Sequence, residues 1–204
     1  MRPLPRLFAF TDETIRLSRR TPASAAAIAS LGAPVALVAR DHLATGAELT
    51  EFTAALHIIT RPAGAALIVG GRPEIASALG AQGIQLRALD LSPVDARTVF
   101  QIGWIGRSVH SVDEAKMAVD EGADYVVAGP VFETPTHPGM TPWGISLIQK
   151  VSQLNLPVIA IGGMTPERSQ HVFEAGAWGV AAISALWKTV KPAEAASQML
   201  QPWM

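Results

Sequence analysis

The stretch IGRSVHS, residues 105 to 111, contains the side chains best suited to chemistry, since Ser108 and His110 follow a strand-like segment there. An imidazole titrates near neutral pH, so one histidine can remove a proton and return it within a single reaction. His110 also stands just before Ser111, a residue typical of helix N-termini, and histidines at helix starts commonly have a structural role. Two hypotheses follow for His110: proton transfer, or packing and capping at a helix start.

A second stretch, VIAIGGMTPE, places Gly162 and Gly163 after an apolar segment and ahead of a helix start. Glycines let the backbone approach an anion closely, and a helix N-terminus adds a favourable field, so this loop is suited to a phosphate group. Ser184, in the following GVAAISAL, would complete the phosphate site. The alternative is that the two glycines only form a tight turn.

Further polar residues follow apolar segments. The additional candidates are Asp12, Arg40, Asp41, His42, Arg72, Arg87 and Glu133 to His137. Arg40 can pair with a substrate carboxylate, because a guanidinium matches a planar oxyanion, or it can form a structural ion pair. The loop FETPTHPGMTPWG is either a lid over a substrate or an irregular connection. In it, Thr134 and Thr136 are candidate substrate-binding residues, and Trp143 is a candidate ligand contact.

Eight short apolar runs predict the strands that must position these residues. The runs are LFAF (7–10), VALVA (35–39), AALIVG (65–70), GIQL (83–86), WIGRS (104–108), YVVAG (125–129), PVIAIG (157–162) and GVAAIS (179–184). They are continuously apolar rather than alternating, which is typical of parallel strands buried on both faces.

Helix signals separate these runs. Thr45 with Glu48, and Ser111 with Glu114, have the spacing of a capping box, while Thr165 precedes a first-turn proline and an acidic residue. The helix expected near residues 92–100 has a weak pattern. Repeated strand and helix over residues 1–204 predict a single (β/α)8 TIM-barrel domain, with a doubly wound open sheet as the alternative. In such a barrel the candidate residues, which follow strands, would share one face.

The composition limits the classes of function. The chain has 204 residues, 49% of them hydrophobic and 16% charged, with a net charge of -1 and no cysteine. Nucleic-acid and membrane partners are therefore not expected, and thiolate metal sites and disulfides are excluded. No segment is long and apolar enough for a signal peptide or a membrane span, so we expect a cytoplasmic protein that binds a small, anionic molecule. A homo-oligomer is neither indicated nor excluded by the sequence.

The segment from Ile105 to Leu186 resembles the thiamine phosphate synthase/TenI superfamily. The motifs that carry the resemblance are SVHS, GADYVVAGPVF, AIGGMTPE and GVAAISA, with LFAFTD similar to the first strand of that family. The resemblance implies a TIM barrel, a phosphate site at Gly162, Gly163 and Ser184, and a catalytic role for His110.

Two branches of the superfamily imply different reactions. Synthases join a pyrimidine diphosphate to a thiazole phosphate with Mg²⁺, and they carry Asn-Asp-Arg where this chain has Gly70, Gly71 and Arg72. Their lysine after strand two corresponds to His42, and their Thr-Lys pair after strand six corresponds to Thr136 followed by His137. The synthase's aspartate ligand is therefore missing, and cationic groups expected to bind a diphosphate are replaced.

The second branch comprises thiazole tautomerases, which need no metal, and IGRSVHS, VFET and GIQLRALDLSP are more similar to its pattern. The resemblance implies aromatisation of a carboxythiazoline-ylidene ethyl phosphate, with His110 as base and acid, Ser108 orienting His110 or the ligand, and no cofactor. Two alternatives remain: a divergent synthase, which would use Mg²⁺, and a non-catalytic regulator that binds a phosphorylated ligand.

Overall fold

The computed structural model describes residues 3–134, 139 and 141–204, and its centre is a closed barrel of eight parallel strands. The strands are β1 (Leu7–Phe10), β2 (Val35–Ala39), β3 (Ala66–Gly70), β4 (Gly83–Leu86), β5 (Trp104–Val109), β6 (Tyr125–Ala128), β7 (Val158–Ile161) and β8 (Gly179–Ala182). They pair in chain order, and β1 closes the barrel against β8 with Leu7 opposite Val180. The predicted (β/α)8 barrel is confirmed, and the open-sheet alternative is wrong.

Helices surround the barrel. They are α1 (Glu13–Arg16), α2 (Thr21–Ala29), α3 (Gly46–Ala63), α4 (Pro73–Leu79), α5 (Pro93–Val99), α6 (Val112–Asp120), α7 (Ile145–Val151), α8 (Pro166–Glu174), α9 (Ser184–Trp187) and α10 (Pro192–Leu200), with 3₁₀ turns at Ser152–Leu154 and Gln201–Trp203. Among the residues that the structure describes, no helix combines the length and apolar character needed to cross a bilayer.

The core has two layers, because each strand is buried on both faces. In β1, Leu7 packs in the layer between strands and helices, whereas Phe8 packs in a separate cluster inside the barrel. Both side chains have no exposed surface. This explains why the strands read as continuous apolar runs rather than as alternating ones.

The strand bounds differ from the sequence prediction by at most two residues, and two of the differences lie in the loops expected to bind phosphate. β7 ends at Ile161 because Gly162 has a φ of 100°, outside the strand region. β8 ends at Ala182, and Ile183 turns the chain with φ of -113° and ψ of -88°, so that Ser184 begins α9 instead of ending a strand.

The weakly predicted helix near residues 92–100 is present as α5. Ser92 caps it by accepting a hydrogen bond from the backbone N–H of Asp95, and Pro93 occupies its first turn. The helix has seven residues and ends where Phe100 leaves the helical conformation, with φ of -112° and ψ of 82°. A cap and a proline therefore define α5 better than its apolar pattern does.

Candidate active site

A cavity of about 440 Å³ opens at the carboxyl ends of the strands, where active sites of this fold lie. It collects seven of the predicted site residues from strands and loops that are distant in sequence: Arg40, Ser108, His110, Thr134, Gly162, Gly163 and Ser184. Thr136, the remaining predicted site residue, lies outside the described residues, as does His137. The sequence-based grouping of these residues at one face therefore agrees with the structure, while their roles stay predictions.

His110 follows β5 and contacts one carboxylate oxygen through two of its atoms. Glu114 Oε2 accepts a hydrogen bond from the backbone N–H of His110 at 2.7 Å and lies 3.2 Å from its Nδ1. A carboxylate can only accept, so Nδ1 carries a proton in this contact and Nε2 keeps its lone pair when the ring is neutral. The geometry suits a histidine that exchanges a proton with a ligand through Nε2.

Glu114 is a site residue that the sequence analysis assigned to a different role. The expected capping box is only half present: Ser111 accepts a hydrogen bond from the Glu114 N–H at 3.1 Å, but the Glu114 carboxylate turns to His110. The available signal was that Glu114 lies in the first turn of the helix, four residues after His110, where its side chain can turn back to the residue that precedes the cap. The two hypotheses for His110 are thus compatible, since it contacts the helix start and also lines the cavity.

The loop after β7 brings the main chain of two glycines to the cavity. Gly162 and Gly163 have φ values of 100° and 62°, which side-chain-bearing residues rarely adopt. A Cβ atom on Gly162 would lie 2.6 Å from Pro130 Cα, and one on Gly163 would lie 2.3 Å from the Glu133 carbonyl oxygen. Both glycines are therefore required by the backbone conformation and by the close approach of the loop after β6.

A cluster of three cationic or basic side chains lines the cavity wall near β2 and β4. Arg40 Nε donates to His42 Nε2 at 2.9 Å, and an Arg87 nitrogen lies 3.1 Å from His42 Nδ1. Partial burial, followed by the charges of Arg40 and Arg87, lowers the pKa of His42 from 6.5 to about 4. Burial also lowers the pKa of Arg40 from its usual value. This wall is suited to a negatively charged group of a ligand.

Three other sequence candidates have structural roles outside the cavity lining. Asp12 caps α1 by accepting a hydrogen bond from the Ile15 N–H at 2.9 Å. Asp41, which is almost fully buried, pairs with Arg16 at 2.6 Å. Arg72 pairs with Glu74 next to it, beside α4. Trp143 is half exposed and is absent from the cavity lining, so its contact with a ligand stays a prediction.

The carboxylate beside Gly71 is engaged by an arginine. Among the described residues, no three His, Asp or Glu side chains converge as a metal site. A Cβ atom on Gly71 would lie 2.9 Å from Asp90 Oδ2, so an aspartate there would face Asp90. Here Asp90 Oδ1 instead accepts hydrogen bonds from Arg87 Nη2 at 2.8 Å and from Arg87 Nε at 3.1 Å. Both carboxylate oxygens of Asp90 are thus engaged by Arg87, whereas Mg²⁺ is commonly held by one or two carboxylates together with substrate phosphates.

Comparison with known proteins identifies the family. A family model described as thiamine monophosphate synthase (TMP-TENI) matches residues 7–186. The chain belongs to this family. A thiamine-phosphate synthase of Methanoculleus marisnigri is 39% identical over 183 residues, which cover 88% of this chain and 86% of the relative. A protein of Aquifex aeolicus named putative thiamine-phosphate synthase 2 is 35% identical over 138 residues, covering 67% of this chain and 74% of that protein.

Solved structures agree with the family assignment. A thiamine phosphate pyrophosphorylase from Pyrococcus furiosus superposes with a TM-score of 0.84 at 28% identity, covering 97% of this chain and 94% of that chain. A 3-hexulose-6-phosphate synthase superposes with a TM-score of 0.69 at 16% identity, which shows a shared fold only.

The comparisons confirm the superfamily expected from SVHS and AIGGMTPE, but they do not confirm the tautomerase branch. The relatives in Methanoculleus and Aquifex carry synthase names, which favours the synthase that the sequence analysis kept as its alternative.

Proposed function

We propose that this member of the family is a metal-independent tautomerase of a phosphorylated carboxythiazoline. The observation that carries the proposal is the His110–Glu114 pair at the mouth of a cavity that has Arg40, His42 and Arg87 on its wall and no Asp or Glu among its described lining residues. A proton-transfer group beside a cationic wall suits an anionic carbon acid.

The two ends of the cavity would bind the two anionic groups of this substrate. The loops with Gly162, Gly163 and Ser184 would hold the phosphate, and Arg40 would pair with the carboxylate, because its guanidinium matches a planar oxyanion. Binding at two separated points fixes the ring between them, in front of His110. Such orientation lowers the entropic part of the barrier before any proton moves.

His110 Nε2 would then remove the ring proton from the carbon that lies next to the carboxylate and the imine. The electron pair of that C–H bond enters the ring, the exocyclic double bond becomes a single bond, and the imidazolium returns the proton to the exocyclic carbon. Glu114 stabilises the imidazolium between the two transfers. A positioned acid–base group contributes about 10²- to 10⁴-fold to such a reaction.

The second candidate is thiamine-phosphate synthase, which the names of the relatives favour. The family resemblance implies that a synthase joins a pyrimidine diphosphate to a thiazole phosphate with Mg²⁺. Gly71 in the place of the aspartate, and Asp90 bound by Arg87, argue against a cation site in this chain. These residues therefore favour the tautomerase over the synthase.

The test is conversion of the thiazoline tautomer to the aromatic carboxythiazole phosphate, followed by ultraviolet absorbance with and without EDTA. We expect turnover that EDTA does not change and that His110→Ala lowers by at least about 100-fold. His171→Ala is the matched control, because His171 is exposed on α8 and does not line the cavity. A parallel assay measures thiamine phosphate formation with Mg²⁺. Absence of tautomerisation together with Mg²⁺-dependent coupling would refute the proposal in favour of the synthase.

A further inference from the structure

Gln85 is a buried polar residue directly beneath the cavity. It lies on β4 inside the barrel and is 3% exposed. Gly106 on β5 makes room for it, because a Cβ atom at Gly106 would lie 2.4 Å from Gln85 Oε1 and 2.1 Å from Cζ of Tyr125. An amide enclosed in an apolar barrel is costly unless its hydrogen bonds serve a purpose, and Oε1 has no hydrogen-bond partner among the described residues.

The contacts of the Gln85 amide determine whether it donates a hydrogen bond to Ser108 or accepts one. Gln85 Nε2 lies 3.3 Å from the Leu86 carbonyl oxygen and 3.1 Å from Ser108 Oγ. A carbonyl oxygen only accepts, so the NH₂ group and not Oε1 must face this side. The second N–H of the same group then donates to Ser108 Oγ.

Ser108 consequently has a proton to donate elsewhere. Its oxygen is an acceptor in the contact with Gln85, and its side chain makes no other hydrogen bond to the described residues. Ser108 and His110 both line the cavity, Ser108 from β5 and His110 from the bend that follows the strand. A hydroxyl donor and a proton-transfer group therefore face the ligand together.

We propose that Gln85 is a positioning residue that makes Ser108 a fixed hydrogen-bond donor to the ligand atom on which negative charge develops. The inference rests on the proposed function: when His110 removes the ring proton, the electron pair spreads onto the ring nitrogen and the carboxylate oxygens. A donor already aimed at one of these acceptors lowers the barrier without reorganising during the reaction. Gln85 does not touch the substrate and acts through the Ser108 hydroxyl.

A double-mutant cycle tests this coupling, with kcat and KM measured for wild type, Ser108→Ala, Gln85→Met and the double variant. Ser108→Ala should lower kcat by about 10- to 100-fold, as expected for loss of one donor to developing charge. Gln85→Met should lower it by about 3- to 10-fold, because the hydroxyl can then rotate to other acceptors. KM should change little in either, since the proposed phosphate site is formed by Gly162, Gly163 and Ser184 and includes neither Gln85 nor Ser108.

The coupling is the decisive quantity. In the Gln85→Met background, Ser108→Ala should cost clearly less than in wild type, because the hydroxyl has already lost its direction. Gln85→Asn keeps the amide, but its side chain is too short to reach Ser108, so it should behave like Gln85→Met. It serves as the second test variant if Gln85→Met fails to fold. An equal loss from Ser108→Ala in both backgrounds would overturn the inference.

The matched control is Tyr125→Phe, which removes a hydroxyl bonded to the Ile84 carbonyl in the same buried layer without touching Ser108. It should leave kcat within about twofold of wild type, and a loss as large as that of Gln85→Met would show a merely structural effect. Calorimetric binding of the aromatic carboxythiazole phosphate separates the two proposals. If the thiazoline is converted but the cycle shows no coupling between Gln85 and Ser108, the role of Gln85 is overturned. If the cycle shows coupling in the affinity for the product but no thiazoline is converted, only the tautomerase proposal is overturned.

Discussion

Glu114 Oε2 accepts hydrogen bonds from both the backbone N–H and the ring Nδ1–H of His110, at 2.7 and 3.2 Å. One carboxylate oxygen thus fixes the position of the residue and the tautomer of its ring. Only Nε2 is left to face the cavity, so the contact that ends the strand–helix turn also determines which nitrogen can exchange a proton with a ligand.

Glu114→Gln should lower kcat by about 10-fold or more with little change in KM. The amide can still accept the backbone hydrogen bond, but it lacks the charge that stabilises the imidazolium between the two proton transfers. Steady-state kinetics on the thiazoline tautomer would measure this. Asp113→Asn is the matched control, because the Asp113 side chain is 89% exposed and pairs with the surface residue Lys116 rather than with His110. An unchanged kcat in Glu114→Gln would exclude the carboxylate from the mechanism.

His42 should titrate with a pKa of about 4, well below its ordinary 6.5. The unfolded chain takes up this proton near pH 6.5, and the folded protein takes it up only near pH 4. The contribution of His42 to the free energy of unfolding is therefore fully present above pH 6.5 and is lost as the pH falls towards 4. Arg87→Gln should raise the pKa of His42, since it removes one neighbouring positive charge and frees Asp90. Titration of the His42 ring by NMR would measure its pKa in the wild type and in the variant. A pKa near 6.5 in the wild type would contradict the arrangement in which Arg40 and Arg87 contact a partly buried His42.

Inorganic phosphate should raise the melting temperature, and Gly163→Ala should abolish that increase. The substitution brings a Cβ atom to 2.3 Å from the Glu133 carbonyl oxygen and displaces the loop that would hold phosphate. Gly80→Ala is a matched control, because Gly80 has the same φ of 62° with open space around its Cβ position, far from the cavity. Both variants lose about 1 kcal/mol from the left-handed backbone, but only Gly80→Ala should keep the phosphate response in a thermal-shift titration.

Gly71→Asp should destabilise the protein in the absence of divalent cations and be partly rescued by Mg²⁺. The Cβ position of residue 71 lies 2.9 Å from Asp90 Oδ2, so the new carboxylate would crowd Asp90, and two neighbouring carboxylates repel each other. Melting temperatures with EDTA and with millimolar Mg²⁺ would measure the effect. Gly80→Asp, in open space at a similar φ, should show no rescue. Stabilisation of the wild type by Mg²⁺ would mean that the present donor set binds the cation after all.

The strands could be predicted from sequence to within about two residues, because parallel strands covered on both faces must be continuously apolar. The ends of β7 and β8 could not, since the backbone angles of Gly162 and Ile183 stop the strands inside apolar runs. Likewise, the apolar pattern of α5 predicts the helix only weakly, whereas the structure shows a helix that begins at a Ser92 cap.

The sequence by itself determined the barrel, the family and the set of residues that follow the strands, since local burial patterns and motifs contain that information. Only the tertiary structure decided how those residues act on one another. Glu114 turned from its expected cap to His110, Arg87 closed on Asp90 beside Gly71, and Gln85 met Ser108 across two strands. The physical reason is that hydrogen bonds depend on directions and distances between side chains, which the order of residues along the chain does not specify.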